Sequence, residues 1–146
     1  MRTAGQLQAI VAALAGAGLL LSACSGPMGL DDSRAGLSCL DDSPQCVELR
    51  QSTLKAMLAD KNRNWVKEPA TPQAHASGVR LFAFRSVKAE LSCDELAYAR
   101  NEAEGAPKSL KAAQGLSPAQ VSRAAMFATE VNKELAAEMK KRRCRA

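Results

Sequence analysis

The residues whose side chains can carry out covalent or metal chemistry are few in this sequence. One histidine, His75, is accompanied by five cysteines, namely Cys24, Cys39, Cys46, Cys93 and Cys144. No two cysteines have the C-x-x-C spacing of a thioredoxin-type redox pair or a zinc knuckle. Any Ser–His–Asp or Cys–His site has to use His75, which lies in a Pro- and Ala-rich segment with no nucleophile turn nearby. We expect His75 to be exposed in a loop.

Other catalytic signals are weak. The sequence has no phosphate-binding glycine motif and no H-E-x-x-H zinc motif. The carboxylate pairs Asp94/Glu95 and Glu102/Glu104 fall where helix faces are expected to meet solvent, whereas acid–base catalysis needs a cleft. A chain of 146 residues is too short for a large enzyme with a cofactor domain. We expect no catalytic activity, no metal and no dissociable cofactor.

Residues 1–23 have the three-part layout of an export signal. A single early positive charge, Arg2, is followed by an apolar stretch from Ile10 to Leu21 and then by small residues. The apolar stretch is shorter than a bilayer-spanning helix usually requires, so an uncleaved transmembrane anchor is the less favoured alternative. The pattern indicates an exported protein.

The end of this segment indicates a lipid anchor. Leu21-Ser22-Ala23-Cys24 resembles the lipobox of bacterial lipoproteins at all four positions. In that family the cysteine thiol is diacylglycerated, the signal is cut just before the cysteine, and the new amine is often acylated, for example with palmitate. The resemblance implies a covalent lipid on Cys24 and a membrane-anchored protein that faces the periplasm. Ser25, which is not an aspartate, favours sorting to the outer membrane. The alternative is ordinary secretion with a free Cys24 thiol.

The remaining cysteines form an even set once Cys24 is assigned to lipid. They are Cys39, Cys46, Cys93 and Cys144. Because the periplasm is oxidising, two structural disulfides are the expected state. Four cysteines permit three pairings, and the sequence does not choose among them.

Composition and spacing predict an all-α domain at 44–146, preceded by a flexible tether at 24–43. Aromatic residues make up only 3% of the chain, which suits packed helices better than a β-sandwich. The first helix should begin at Pro44 after a Ser43 cap and end near Lys67. Its expected buried stripe consists of Val47, Leu54, Leu58 and Trp65. We expect a loop at 68–77.

The rest of the chain predicts two or three more helices. The segment VRLFAFRSV could be a strand, but no partner strand is evident, so helix is favoured. Its two expected buried faces are Phe84, Val87, Leu91 and Tyr98, and Phe82, Ala89, Cys93 and Leu96. Ser92 and Glu95 form a capping-box pattern, as do Ser117 and Gln120. The final helix should bury Val121, Ala125, Ala128, Leu135 and Met139, flanked by Phe127 and Val131. The prediction is a bundle of three long helices, or of four with a corner near Ser92.

The charge is concentrated at the C-terminus. The net charge of +5 equals the contribution of Lys140, Lys141, Arg142, Arg143 and Arg145, which we call the basic tip. Positive charge at a helix C-terminus complements the helix dipole. Near a membrane the same cations form a candidate anion-binding patch for lipid headgroups, peptidoglycan or an acidic protein. Nucleic acid is not expected as a partner after export.

The mature part is similar to short helical envelope lipoproteins of Gram-negative bacteria that carry no assigned activity. The segments that carry this resemblance are LSCDELAYARNEAEGAP and LSPAQVSRAAMFATEVNKEL. We expect a lipid-anchored protein that acts by binding or by structural support, without a small-molecule substrate. The alternative is an accessory or inhibitory subunit that docks on another envelope protein through a helix face.

Overall fold

The computed structural model describes residues 32–145, and within this range it is all-α with no strand. The helices are α1 (Pro44–Ala59), α2 (Pro72–Ser77), α3 (Val79–Val87), α4 (Cys93–Ala112) and α5 (Pro118–Lys141). Two 3-10 helices, Asp32–Leu37 and Asn64–Lys67, precede α1 and α2. The all-α prediction is confirmed, as is helix for VRLFAFRSV. The export signal and Cys24 lie outside the described residues, and no helix within them is long and apolar enough to cross a membrane.

Three helices begin where the sequence predicts. The Ser43 hydroxyl accepts the Cys46 backbone N–H at 3.2 Å, and Pro44 occupies the first turn. Complete capping boxes open α4 at Ser92 and α5 at Ser117. Each box satisfies two backbone donors that a helix N-terminus would leave unpaired. A new helix therefore begins at the break predicted near Ser92.

The first helix ends earlier than predicted, at Ala59. The Asp60 carboxylate accepts the backbone N–H groups of Asn62 at 2.9 Å and Asn64 at 3.0 Å. Arg63 then adopts a left-handed conformation with φ of 50°, which a helix cannot continue through. These two features turn the chain back, so that the Trp65 indole N–H donates to the Met57 carbonyl at 2.9 Å. Trp65 is buried, as expected of a core residue.

The predicted buried stripe of α1 is only partly right: Trp65 is buried but does not lie on that helix, and Leu54 is partly buried and packs against the core. The buried residues of α1 are Cys46, Thr53 and Met57, whereas Leu58 is 41% exposed. On α3 and α4, Phe82 and Tyr98 are each about half exposed, which also contradicts the two-sided burial predicted for that segment. The α5 prediction agrees better, since Ala128, Leu135 and Met139 are buried together with Val131. The remaining core residues include Val66, Leu81, Phe84, Leu91, Leu96 and Leu110.

The segment 68–77 contains a helix where a loop was expected. The Thr71 hydroxyl accepts the Ala74 backbone N–H at 3.1 Å, and Pro72 fills the first turn of α2. This is the same combination of cap and proline that begins α1 and α5. The helix ends at Gly78, whose φ of 74° suits glycine. As a result α2 carries His75 into the interior of the domain.

Helices α4 and α5 form the main antiparallel pair of the bundle. Their contact is the most extensive in the structure, and fully buried Ala99, Ala103, Ala106 and Ala128 let the two backbones approach closely. Helix α3 packs on α5, and α1 packs on α3. The short α2 contacts α3, α4 and α5, which places it against the same core.

Residues 32–43, which the sequence analysis assigned to the tether, are packed against the domain. The backbone N–H of Gly36 donates to the Thr53 hydroxyl at 3.1 Å. The Arg50 guanidinium donates to the carbonyls of Cys39 at 3.2 Å and Asp41 at 2.7 Å. The Gln120 amide donates to the Leu40 carbonyl at 3.2 Å. The packed domain therefore includes these residues instead of starting at Pro44.

The contact between the first 3-10 helix and α1 depends on a glycine. A Cβ at Gly36 would lie 2.5 Å from the Leu49 carbonyl oxygen and 2.7 Å from the Arg50 Cα. These are backbone atoms, so Gly36→Ala is expected to push the two helices apart and to lower the free energy of unfolding by about 1–3 kcal/mol. Urea unfolding measures this loss. Gly105→Ala is the matched control, because its Cβ would meet nothing within 4 Å and it should stabilise α4 by about 0.5–1 kcal/mol. Equal effects of the two substitutions would contradict the prediction.

Candidate functional site

The four cysteines of the described residues form two disulfides, Cys39–Cys46 and Cys93–Cys144. This confirms the expected bridges and gives the pairing that the sequence left open. Only the Cys93–Cys144 bridge lies at the break near Ser92. Cys39 precedes Leu40, which contacts the first turn of α5, whereas Cys144 follows the last turn of the same helix. The bridges therefore hold opposite ends of the bundle, and residues 32–145 contain no cluster of metal-ligating side chains.

The basic tip is fixed against the domain, and one of its five cations, Lys141, lies near a carboxylate. Cys144 donates its backbone N–H to Met139 at 2.9 Å, and Arg143 takes a left-handed φ of 57°, which together end α5 in a Schellman motif. The Arg142 guanidinium donates to the Leu91 carbonyl, and Lys141 lies 3.6 Å from Glu138. The remaining tip residues, Lys140, Arg143 and Arg145, are exposed and form no ion pair within the described chain.

The most heavily bonded polar side chain of the interior is Arg80, at the second position of α3. Its side chain is 3% exposed, and its guanidinium donates to both carboxylate oxygens of Glu102, at 2.8 and 2.5 Å. It also donates to the carbonyls of Trp65 at 2.8 Å and Glu68 at 2.9 Å. Its charge lies 5.9 Å from the ring centroid of Trp65 and 5.5 Å from that of Phe84. Arg80 thus joins α3, α4 and the second 3-10 helix.

The two carboxylate pairs are not arranged as the sequence predicts. Asp94 and Glu104 are exposed as expected, but the side chains of Glu102 and Glu95 are only 11% and 13% exposed. Arg63 binds Glu95 at 3.0 Å, much as Arg80 binds Glu102. Burial alone would raise the pKa of Glu95, but hydrogen bonds from Arg63 and Ser92 lower it. Each buried carboxylate is therefore neutralised by an arginine from another element and serves to join elements.

His75 is buried, which contradicts the prediction of an exposed loop histidine. It is 5% exposed, and its Nε2 lies 3.7 Å from Glu102 Oε1, too far for a hydrogen bond. Neither ring nitrogen has a hydrogen-bond partner in the described part of the chain. Burial lowers the pKa of His75, Glu102 opposes this, and the positive charge of Arg80 adds to the lowering. His75 is thus held neutral next to an ion pair.

This burial predicts a loss of stability on acidification. The unfolded chain binds a proton on His75 near pH 6.5, whereas the folded chain binds it only at lower pH. Stability from this group is therefore complete above about pH 6.5 and falls below it, by up to about 1.4 kcal/mol per pH unit. Urea unfolding at several pH values measures the slope. Because His75 is the only histidine, His75→Phe should flatten the slope between pH 5 and 7. An unchanged slope in that variant would contradict the prediction.

A groove of about 520 Å³ opens beside Arg80. We call it the Trp65 groove, and its lining residues come from both 3-10 helices, α1 and α3: Arg34, Leu37, Thr53, Ala56, Met57, Asp60, Asn64, Trp65, Glu68 and Arg80. The groove could not be predicted from the sequence, because its lining residues lie far apart in the chain. The one local signal was the isolated tryptophan.

A second surface feature is an aromatic pair between α3 and α5. Phe82 is 50% exposed and its ring centroid lies 4.7 Å from that of Phe127. Arg85 lies over the Phe127 ring at 5.9 Å. Shallow cavities of about 270 and 300 Å³ flank Phe82. This exposed aromatic face, which we call the Phe82 face, is formed by residues expected to be core.

Comparison with known proteins adds no relative: no family model, no curated protein and no solved structure matches the chain. Function is therefore inferred from the residues themselves. The features that bear on it are the paired cysteines, the basic tip, the Trp65 groove and the Phe82 face.

Proposed function

We propose that the protein is a lipid-anchored binding protein of the bacterial envelope, attached through Cys24 and facing the periplasm. The observation that carries this proposal is the distribution of the cysteines. Cys39–Cys46 and Cys93–Cys144 use four of the five cysteines, so the one left over is the cysteine of the lipobox-like sequence. Two disulfides suit an exported protein in an oxidising compartment. An unpaired thiol in such a protein is accounted for if lipid modifies it.

The distance from the anchor to the domain supports a location close to the membrane. Asp32, where the first 3-10 helix begins, lies eight positions after Cys24. Even fully extended, this segment spans at most about 29 Å. The basic tip, with Lys140, Arg143 and Arg145 exposed, supplies a candidate surface for anionic headgroups or peptidoglycan, at roughly 1 kcal/mol per cation near a charged membrane. An outer-membrane location is part of the proposal and rests on Ser25.

A binding role is favoured over catalysis by the state of the buried charged groups. Glu102 and Glu95 are each neutralised by an arginine, and both arginines join separate elements of the fold. Groups that are fully engaged in this way stabilise structure and are poorly placed to exchange protons with a substrate. His75 lies next to the Arg80–Glu102 ion pair and is only 5% exposed, so a substrate has little access to it.

The alternative function is that of an accessory or inhibitory subunit that docks on another envelope protein. The Phe82 face favours it, because exposed aromatic residues are enriched where proteins bind one another. In this case Phe82→Glu should release a protein that otherwise co-purifies at a fixed ratio. Met126→Glu is the matched control, since Met126 is 64% exposed and lines none of the cavities that flank Phe82.

Replacing the proposed lipid acceptor tests the anchor. Cys24→Ser keeps the size of the side chain but removes the thiol, so the protein should leave the membrane fraction of its native cells or accumulate with its signal uncut. Ser25→Ala is the matched control and should stay membrane-bound and processed. A Cys24→Ser protein that is processed and fractionates like the unaltered protein would contradict the proposal.

A further inference from the structure

We propose that the Trp65 groove binds a small, mostly apolar and uncharged molecule that carries a carbonyl group. This inference deepens the binding role proposed above and rests on it, but not on the lipid at Cys24. The ligand would be held and not turned over.

The size and walls of the groove fit such a molecule. Its volume of about 520 Å³ lies within the range of small-molecule sites, roughly 300–1,000 Å³. Leu37, Ala56, Met57 and Trp65 supply apolar lining. An apolar ligand would gain by leaving water for these walls.

One buried polar side chain in the lining, Arg80, has a hydrogen-bond donor to spare, and it keeps 3% of its surface exposed. A guanidinium has five N–H groups, and Arg80 uses four of them on Glu102, Trp65 and Glu68, which leaves one on Nη1. A buried donor without a partner is costly, so the groove favours a ligand that brings an acceptor.

The charges around the groove favour an uncharged acceptor over a carboxylate. Glu102 neutralises Arg80, and Glu68 pairs with Arg34 at 2.5 Å. Asp60 adds a negative charge whose oxygens already accept two backbone N–H groups. Because no positive charge is left in excess, an anion would be repelled, whereas a carbonyl can accept the spare N–H of Arg80.

The groove is also formed in advance of binding. The Trp65 indole N–H donates to the Met57 carbonyl, and the Trp65 backbone carbonyl accepts a hydrogen bond from Arg80. Arg80 holds the Glu68 carbonyl as well. Since these bonds fix the walls on two sides, a ligand would enter without first ordering the site.

The test uses prodan, an uncharged naphthalene dye with a propionyl carbonyl, whose emission shifts to the blue in apolar surroundings. The protein is the chain from residue 24 onward carrying Cys24→Ser, which lacks both acyl chains and the apolar stretch at 10–21, to which the dye could also bind. Trp65 is the only tryptophan, so quenching of its emission by energy transfer reports dye bound to the folded domain, and the variants below locate the site. We expect saturable quenching of the Trp65 emission together with the blue shift of the dye.

Two variants locate the binding site. Ala56→Phe fills the groove from an exposed position of α1 and should weaken dye binding at least about tenfold. Ala137→Phe makes the same change at an exposed position of α5 outside the groove and should leave binding unchanged. Absence of saturable binding, or equal binding by the Ala56→Phe protein, would overturn the proposal. Loss of binding only in Phe82→Ala would place the dye on the Phe82 face and would also overturn it. None of these outcomes depends on whether Cys24 carries lipid in the native protein.

Discussion

Replacing Arg80 with methionine is expected to lower the free energy of unfolding by about 3–5 kcal/mol. The substitution leaves the Glu102 carboxylate, whose side chain is 11% exposed, without its cation, and it removes the donors to the Trp65 and Glu68 carbonyls. A buried charge without a partner costs far more than an ion pair contributes. Urea unfolding followed by Trp65 fluorescence measures the change, and it should also report the release of the second 3-10 helix.

Two further variants separate the buried ion pair from the loss of charge alone. Arg85→Met removes a cation that binds Glu130 and Glu134 on the more exposed side of α3, and it should cost less than about 1 kcal/mol. The double replacement Arg80→Met/Glu102→Met should regain much of the stability, because it removes both buried charges. A loss at Arg80 no larger than at Arg85, or a double variant less stable than Arg80→Met alone, would show that the ion pair is not what holds α3 to α4.

Removing the Cys93–Cys144 disulfide by replacing both cysteines with alanine should lower the free energy of unfolding by about 4 kcal/mol. This bridge closes a sequence separation of 51 residues, so it restricts the unfolded chain strongly. The Cys39–Cys46 bridge spans a separation of 7, and the same replacement there should cost about 2 kcal/mol. Urea unfolding of both double variants compares the bridges at constant charge.

The same pair of variants tests what the long bridge does for the basic tip. Without Cys93–Cys144, residues after Lys141 lose their covalent link to the start of α4 and should exchange their amide hydrogens faster. The Cys39–Cys46 variant should leave that exchange unchanged, because its bridge lies near the other end of α5. Equal exchange of these amides in the two variants would contradict this prediction. A smaller loss of unfolding free energy for the long bridge than for the short one would contradict the stability prediction above.

Local signals in the sequence were sufficient to predict where helices begin. Ser43, Ser92 and Ser117 each cap a helix as expected, because a cap depends only on residues within one turn of it. The predicted end of α1 was wrong, because the actual end depends on Asp60 accepting two downstream backbone N–H groups and on the left-handed conformation of Arg63. Thr71-Pro72 carries the same type of signal as the correct predictions, so the α2 helix could have been found from the sequence.

The burial of polar residues could not be predicted, because their partners are distant in the chain. Arg80 meets Glu102 across 22 residues and Arg63 meets Glu95 across 32. A sequence shows that these charges exist but not that the fold brings them together. His75 was placed at the surface for the same reason, since its burial follows from how α2 packs against α3, α4 and α5. The pairing of the cysteines likewise follows from the arrangement of the helices and could not be predicted. The number of disulfides could be predicted, because it follows from the number of cysteines.

The most direct test of the central claim is the intact mass of the protein purified from its native membrane, measured before and after reduction and alkylation. The proposal predicts a chain that begins at Cys24, carries the added mass of acyl chains, and has four thiols that react only after reduction. A chain that retains residues 1–23, or cysteines 39, 46, 93 and 144 that react without reduction, would contradict it.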